Sequence, residues 1–571
     1  MEVEIVDKII RLNLTDGTIS EEQVTDKYKI IGGRALTSEI LNDEVDPACE
    51  PLGRYNKLIF APGLLGGSYM SSSSRLSVGG KSPLTGGIKE ANAGGTAALA
   101  LSKLGIKALI IEGESKLDYS QYLYMSSEKM ELRPAETAGL GVYESAKLLL
   151  KQYGEKVSLL LIGPAGERGY TSAGITNTDP QGRPSRFCGR GGLGAVMGVK
   201  GLKAIIVDPS GSQGIQYHDR KAFLELNKEL IKMLKENPAT GETYPKYGTA
   251  AMASRTNALN ALPTRNFSQG SFEYTDKIDG DYLYKVIQER EGDGSSTHAC
   301  MPGCVIKCSN IFADIDGREI VGPVEYETIG LMGSNLGIGN LDDIARLNYI
   351  CNDLGIDTIE TGAAIGVVMD QGLIPFGDAA AAIDLLSEIG NDTVLGKVLG
   401  QGAQVTGRVF GCRRVPVVKG QAMAAYDPRG IKGLGVTYAT SPMGADHTAG
   451  STARAQVEHT DPEPQVELSK KMQAFSMFAD SMGLCLFVLA AFAPHLDKLA
   501  KLLEYYSGIK SSEQELLAGA AAALKTEREF NLRAGIGPAH DRIPEFMTEE
   551  PIPGIDSVFD VPHEELQKIA E

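Results

Sequence analysis

Cys300-Met301-Pro302-Gly303-Cys304-Val305-Ile306-Lys307-Cys308 sets three thiols in one short loop, and a fourth cysteine closes the remote run Asp480-Ser481-Met482-Gly483-Leu484-Cys485. Thiols grouped this way in a chain of 571 residues and 8 cysteines point to a metal or an iron–sulfur cluster rather than a disulfide framework. Three ligands from one loop and a fourth from a distant segment suit a cubane held where two parts of a fold meet. A zinc knuckle is the competing reading. It favours paired Cys-x2-Cys units, whereas each gap here holds three residues and no second pair follows. The remaining cysteines, Cys49, Cys188, Cys351 and Cys412, are dispersed. A cluster would make this chain a carrier of electrons, with the segments around 300 and 485 folded together.

The length allows about three or four domains with a large buried core. An apolar content of 42% and a charged content of 23% describe an ordinary globular protein. The 67 glycines imply many tight turns or close backbone approaches to a ligand. A net charge of -17 argues against a nucleic-acid partner, which needs a basic surface. It leaves room for a phosphorylated cofactor held by local Arg, Lys and backbone N–H groups. The opening Met1-Glu2-Val3-Glu4-Ile5 is acidic and alternating, unlike a signal peptide. The longest apolar run, residues 484–493, is about half what a bilayer requires. The expectation is a cytoplasmic protein of a reducing compartment with no membrane partner.

Short apolar strands at 57–61, 108–112, 158–162 and 204–207 alternate with Gly-rich turns up to the break Pro209-Ser210-Gly211-Ser212-Gln213-Gly214. Helical periodicity follows at 218–236, 342–353, 378–388, 496–506 and 512–525, and Gly and Pro mark a second boundary near Val415. The expected class is α+β. A strand-rich domain (1–208) precedes two mainly α-helical ones, 209–415 with the Cys triad and 416–571 with Cys485. No internal repeat is visible.

Gly189-Arg190-Gly191-Gly192-Leu193-Gly194 matches G-x-G-x-x-G. The preceding segment holds Pro180, Gly182 and Pro184, so no strand is expected to lead into it and a dinucleotide fold is rejected. The stretch reads instead as a loop whose amides, with Arg186, Arg190 and Lys200, approach an anionic ligand. A second such patch runs from Arg75 to Gly95 and contains Asn92-Ala93-Gly94-Gly95. Ordinary turn glycine is the alternative for both. Among polar candidates, His447 lies in the loop Ser441–Gly450, Glu325-Tyr326-Glu327 sets two carboxylates beside a phenol, and Tyr426-Asp427-Pro428-Arg429-Gly430 forms a third cluster. For each, a surface role is the alternative.

Taken together, these residues resemble the aldehyde:ferredoxin oxidoreductase family of tungsten enzymes, whose relatives include class II benzoyl-CoA reductase catalytic subunits. The resemblance covers nearly the whole chain. It includes Gly32-Gly33-Arg34, Arg75 to Gly95, Arg186 to Lys203, the Cys triad, Glu325 to Asn335, Asn352-Asp353-Leu354-Gly355-Ile356-Asp357, Gly444-Ala445-Asp446-His447, Asp480 to Cys485, and Glu527-Arg528-Glu529-Phe530-Asn531.

The resemblance implies a base of sheets for tungsten chelated by the dithiolenes of two pterins, with Mg2+ bridging their phosphates. Arg75, Asn92, Ala93, Gly94 and Gly95 on one side, and Arg186, Phe187, Cys188, Gly189, Arg190 and Gly191 on the other, correspond to the phosphate-holding segments. Asp480, Gly483 and Leu484 belong to one D-x-x-G-L-[CD] motif reaching a pterin. Asn352, Gly355 and Asp357 form the other, with Asn in place of the leading Asp. Cys300, Cys304, Cys308 and Cys485 correspond to the [4Fe-4S] ligands, although the family's usual triad is Cys-x2-Cys-x3-Cys. His447, Glu327, Tyr326 and Tyr426 match active-site positions for proton transfer, water orientation and hydrogen bonding to substrate. The implied activity is oxidation of aldehydes to carboxylic acids. Electrons would pass to ferredoxin or a small iron–sulfur subunit, in an oligomer or hetero-complex. The alternatives are a benzoyl-CoA-type reductase subunit and a metal-free relay or scaffold.

Overall fold

The computed structural model describes residues 7–117 and 119–570. The acidic start at Met1–Ile5 lies outside the described residues. Sheet formation follows the uninterrupted apolar runs. Leu58–Pro62, Ser158–Leu161 and Leu202–Val207 are buried along their whole length, which requires cover on both faces because successive side chains leave a strand on opposite sides.

The strands of the first part are β1 (Lys8–Asn13), β2 (Thr18–Gln23), β3 (Leu58–Pro62), β4 (Leu76–Lys81), β5 (Ile88–Ala93), β6 (Ile106–Glu112), β7 (Gln121–Met125), β8 (Met130–Pro134), β9 (Ser158–Leu161), β10 (Ile175–Asn177), β11 (Arg186–Cys188) and β12 (Leu202–Val207). They form two six-stranded sheets, ordered β2-β1-β6-β3-β4-β5 and β8-β7-β12-β9-β10-β11. Adding six to each strand number of the first sheet generates the second. The pairing senses agree as well: β1 is parallel to β6 as β7 is to β12, and every other neighbour is antiparallel. The repeat not visible in the sequence is therefore present in the topology. What recurs is the order of buried runs and turns, not residue identity.

Leu58 and Phe60 of the first sheet share one core with Leu160 and Ile205 of the second. Two short helices, α1 (Ala97–Lys103) and α2 (Leu193–Val199), contribute Ala98, Leu101, Leu193 and Val196 to the same core. On the outer faces, Ile59 packs with Leu36 and Ile40 of the helix Gly33–Glu44, and Leu159 packs with Val142 and Leu149 of the helix Val142–Tyr153.

Beyond the irregular stretch after β12, α3 (Arg220–Glu236) starts at Asp219, whose carboxylate accepts the Ala222 N–H at 3.0 Å. The later helices include α4 (Leu341–Leu354), α5 (Thr358–Asp370), α6 (Ala379–Gly390), α7 (Gln465–Met482), α8 (Leu496–Ser507) and α9 (Glu513–Arg533). The helix α9 opens with a Ser512/Glu515 capping box. It runs past the expected end near 525 because Glu527, Phe530 and Asn531 are buried. One helical core joins Phe312, Ile344 and Ile365 to Ala424, Leu434 and Phe559. The other joins Phe223, Leu230 and Met301 to Met477, Leu499 and Leu524. Both draw residues from either side of Val415. The Cys triad is the connection between β13 (Ser295–His298) and β14 (Ser309–Ala313). Among the described residues no single helix is long and apolar enough to cross a membrane.

Candidate functional site

Two helices end on the two sheets in the same way. The helix α7 stops at Gly483 (φ +78°) and α4 at Gly355 (φ +76°), a left-handed conformation that strongly favours glycine. In the first, the Leu484 N–H donates to the Ala479 carbonyl at 2.8 Å; in the second, Ile356 donates to Cys351 at 2.9 Å. Each end meets a glycine just beyond an equivalent strand. A Cβ on Gly483 would lie 3.0 Å from Gly63 Cα, and one on Gly355 would lie 2.6 Å from Gly163 N. The next turns match too, since Cys485 N–H donates to Ser72 O and Asp357 N–H to Ser172 O, both at 2.9 Å.

The side chains differ. Asp480 is buried 3.5 Å from the Arg34 guanidinium, which also forms a two-pronged pair with Glu527 at 2.9 and 2.8 Å. Burial pushes the Asp480 carboxyl well above its usual range and nearby Glu90 adds to this, against the pull of Arg34 and Arg75. On the other side, Asn352 has only a neutral partner, donating to the Tyr143 hydroxyl at 3.2 Å. Asp357 caps α5 through the Ile359 and Glu360 N–H groups at 3.0 and 3.2 Å and accepts from Arg190 at 3.2 Å.

The four thiols converge at the first end. Cys300, Cys308 and Cys485 act electrostatically on one another and on Cys304. Burial pushes the Cys300 thiol up to about 12, against Arg186 and Arg75. Ser72 Oγ donates to Cys304 Sγ at 3.4 Å, and Gly95 N–H donates to Cys300 O at 2.8 Å. A Cβ on Gly94 would stand 3.0 Å from Cys300 Sγ. Among the described residues, no three or more His, Cys, Asp or Glu side chains form a group that could hold a single metal ion.

The glycine-rich segments occupy equivalent ends of β5 and β11. The Arg75 guanidinium bonds to the Asn92 side chain and, at 3.0 Å, to its carbonyl. Contrary to the expectation of no leading strand, β11 does run into Gly189 and α2 does follow. Arg186–Cys188 pairs antiparallel with β10 at a sheet edge, and Leu193–Val199 is helical, so the strand–loop–helix is real but is not a parallel dinucleotide unit. Ala93 and Cys188 are buried in the core between the sheets, which leaves only their backbone to a ligand. A Cβ on Gly189 would touch nothing but Phe187 Cβ, at 3.6 Å. Arg186 donates to Ser309 Oγ at 2.7 Å, yet its Nε is buried without a hydrogen-bond partner, as is Ser172 Oγ. Buried donors of this kind call for partners. Their position in the second half, beside the open Gly189, fits an anionic group at that cradle.

The two cradles meet at Asp446. From β5, Lys89 Nζ reaches its Oδ2 at 2.5 Å; from beyond β11, Arg190 Nη1 approaches at 4.0 Å. Those cations hold the Asp446 carboxyl far below its usual range despite burial. Its Oδ1 accepts the Thr448 N–H at 3.0 Å and so shapes the turn carrying His447. His447 Nε2 lies 3.4 Å from Glu327 Oε1. The other Glu327 oxygen accepts the Ala425 N–H at 2.7 Å, while Oε1 and His447 Nδ1 make no hydrogen bond. Burial raises the Glu327 pKa, and His447 draws it back. Glu325 points elsewhere, 3.8 Å from Arg186. Tyr426 lies between Tyr326 and His447, its ring tilted to both, with ring centroids 5.2 and 5.9 Å away. The Tyr326 hydroxyl is already bound to Ala425 O and, at 2.8 Å, to Thr256, so Tyr426 is the phenol turned to Glu327. Asp427 and Arg429 form a buried pair at 2.6 Å, which makes that cluster structural.

Sequence reasoning passed over Lys89 and Tyr438. The latter is fully buried, its hydroxyl unpaired, within electrostatic reach of Glu327 and Tyr426. A lysine inside the strand Ile88–Ala93 was the one readable signal.

The chain matches the model of the aldehyde ferredoxin oxidoreductase N-terminal domain over residues 9–209 and that of domains 2 and 3 over residues 225–569. It belongs to the aldehyde ferredoxin oxidoreductase family. It is 35% identical to the tungsten-containing aldehyde ferredoxin oxidoreductase of Pyrococcus abyssi over 96% of this chain and 92% of that one. An aliphatic sulfonate oxidoreductase, WOR-like subunit, from Pyrococcus furiosus is 27% identical over 89% of this chain and 83% of its own length. Among solved structures, the active site complex BamBC of benzoyl coenzyme A reductase, in complex with 1,5-dienoyl-CoA, superposes with a TM-score of 0.81 at 20% identity, covering 99% of this chain and 93% of that one. That likeness establishes the shared fold. The family is one of oxidoreductases.

Proposed function

We propose that this chain oxidises an aldehyde to the carboxylic acid, with tungsten held by a pterin on each cradle and a [4Fe-4S] cluster on Cys300, Cys304, Cys308 and Cys485. The observation that carries the reading is the meeting of His447 and Glu327 at 3.4 Å, on a turn gripped from both sheets through Asp446. Arg75 and Asn92–Gly95 on one side, and Arg186 and Gly189–Gly191 on the other, would hold the pterin phosphates and their bridging Mg2+. Asp480 and Asn352 would face the pterin rings. When bound, the tungsten centre supplies a two-electron acceptor that polarises the carbonyl.

The reaction consumes an aldehyde and water and yields the acid, two protons and two electrons. Glu327, fixed by the Ala425 N–H, offers Oε1 to the attacking water and accepts its proton. His447 relays a proton outward from the same point. Tyr426 hydrogen-bonds the substrate oxygen, while Tyr326 supports its ring. One four-thiol group implies an outside one-electron acceptor, such as ferredoxin or a small iron–sulfur subunit.

The test is an aldehyde panel with a viologen dye on protein loaded with tungsten and iron. Dye reduction is expected, and His447→Asn should keep both metals yet lose roughly two to four orders of magnitude in turnover. Glu327→Gln should behave alike and abolish the acid limb of the pH profile, since Glu327 acts only when ionised and its pKa is raised. Loaded protein inert to every aldehyde would overturn the reading.

A further inference from the structure

We infer that Ser72 tunes the reduction potential of the iron–sulfur centre, its hydroxyl holding the Cys304 sulfur in a hydrogen bond that favours the reduced state. The inference rests on the cluster assignment above and goes beyond it, since Ser72 is no ligand. Ser72 is fully buried and adopts φ +64°, a left-handed conformation that a serine seldom takes because its Cβ crowds the following carbonyl. Glycine would sit there without strain, so the side chain present in its place calls for a reason. Its contacts give one. Ser72 Oγ donates to Cys304 Sγ at 3.4 Å, and the carbonyl of the same residue accepts the Cys485 N–H at 2.9 Å. Ser72 thus touches both ligand segments, the triad through its side chain and the remote cysteine through its backbone.

The residues on either side hold Ser72 in place without touching sulfur. Ser71 Oγ accepts the Val305 N–H at 3.0 Å, and Ser73 Oγ donates to Met70 O at 2.9 Å. The second sheet supplies the contrast. There the Ser172 carbonyl accepts the Asp357 N–H in the same way, but Ser172 lacks the positive φ and its buried hydroxyl has no partner. The strained conformation goes with the sulfur and not with the backbone device. An O–H donated to a ligand thiolate draws charge off the sulfur, which is one of the levers that set cluster potentials. The reduced state carries one more electron, so its sulfurs accept more strongly and the bond stabilises it more than the oxidised state. Burial away from water enlarges that difference. Ser72 thereby eases the arrival of the two electrons that the proposed reaction releases, one at a time.

The experiment counts iron in the loaded full chain, then titrates its visible absorption against redox dyes. Ser72→Ala removes the hydroxyl and keeps the strained Cβ; Ser72→Gly removes both. Each should retain about four irons per chain. At the wild-type midpoint each should show a reduced-to-oxidised ratio about three- to tenfold lower, equivalent to about 30–60 mV for a one-electron couple. Ser72→Gly should unfold at a higher temperature than Ser72→Ala, because glycine relieves the left-handed strain, while the two share the shifted potential. Ser71→Ala, which loses a tie to the same loop and no contact with sulfur, should keep the wild-type potential. If Ser72→Ala fails to load iron, Ser72→Gly alone decides. A wild-type potential in the loaded Ser72 variants, or an equal shift in Ser71→Ala, would overturn the inference and leave the cluster assignment standing. A wild type that loads no iron would overturn both.

Discussion

The ends of α7 and α4 are one backbone device used twice with different chemistry. Both stop at a left-handed glycine, both press that glycine against another beyond an equivalent strand, and both donate the next N–H to a serine carbonyl at 2.9 Å. On the first sheet the device carries Asp480 and Cys485, wired to Arg34, Glu527 and the other thiols. On the second it carries Asn352 and Asp357, which bind Tyr143, Arg190 and the start of α5. Geometry was held while charge diverged. The first half is built beside four thiols; the second anchors helices and joins the halves through Arg190.

The largest test of that division removes the last residue of each motif. Cys485→Ala should abolish the visible absorption of the cluster and about four irons per chain. Asp357→Ala should keep the iron, although it removes the cap of α5 and the buried partner of Arg190, at a cost of about 2–4 kcal/mol. Iron analysis with thermal unfolding separates the two. Iron retained in Cys485→Ala, or lost equally in both, breaks the comparison.

Both glycines test the shared part. Gly483→Ala and Gly355→Ala each put a side chain at positive φ against backbone, so each should lower the Tm, with a penalty of roughly 2–4 kcal/mol. Gly355→Ala should be the worse, because its Cβ would meet Gly163 N at 2.6 Å where the other meets Gly63 Cα at 3.0 Å. Equal and negligible shifts would mean that neither end is packed as described.

Much of this was legible in the chain because its signals are local. The Cys triad and the apolar runs of β3, β6, β9 and β12 announce themselves within a few residues. The duplication was not legible, since β10 and β11 span three residues each and Pro184 precedes the latter, leaving no apolar alternation to read. Nor were the pairs that assemble the centre. Lys89 and Asp446 are 357 residues apart, and Arg34 and Glu527 are 493 apart. A buried charge reveals its partner only after folding, so nothing around Lys89 in the sequence marks it as one of the two cations holding the His447 turn.

The smallest and sharpest test restores the missing charge in the second half. Asn352 is 6% exposed and hydrogen-bonded only to Tyr143, so Asn352→Asp places a carboxyl in a buried setting with no cation assigned to it. In the first half the equivalent Asp480 is pushed up by burial even with Arg34 and Arg75 pulling the other way. An Asp at 352 lacks that pull and should be raised in the same direction. A carboxyl raised in the folded state binds more protons than in the unfolded chain, so stability falls as pH rises from the unfolded value of about 3.9 through the folded one. The variant should therefore match the parent near pH 4 and lose about 1–3 kcal/mol at pH 8. Thermal unfolding across that range measures it. A Tm difference that does not grow with pH would show that position 352 is already matched to a charge, and the chemical contrast between the two ends would collapse.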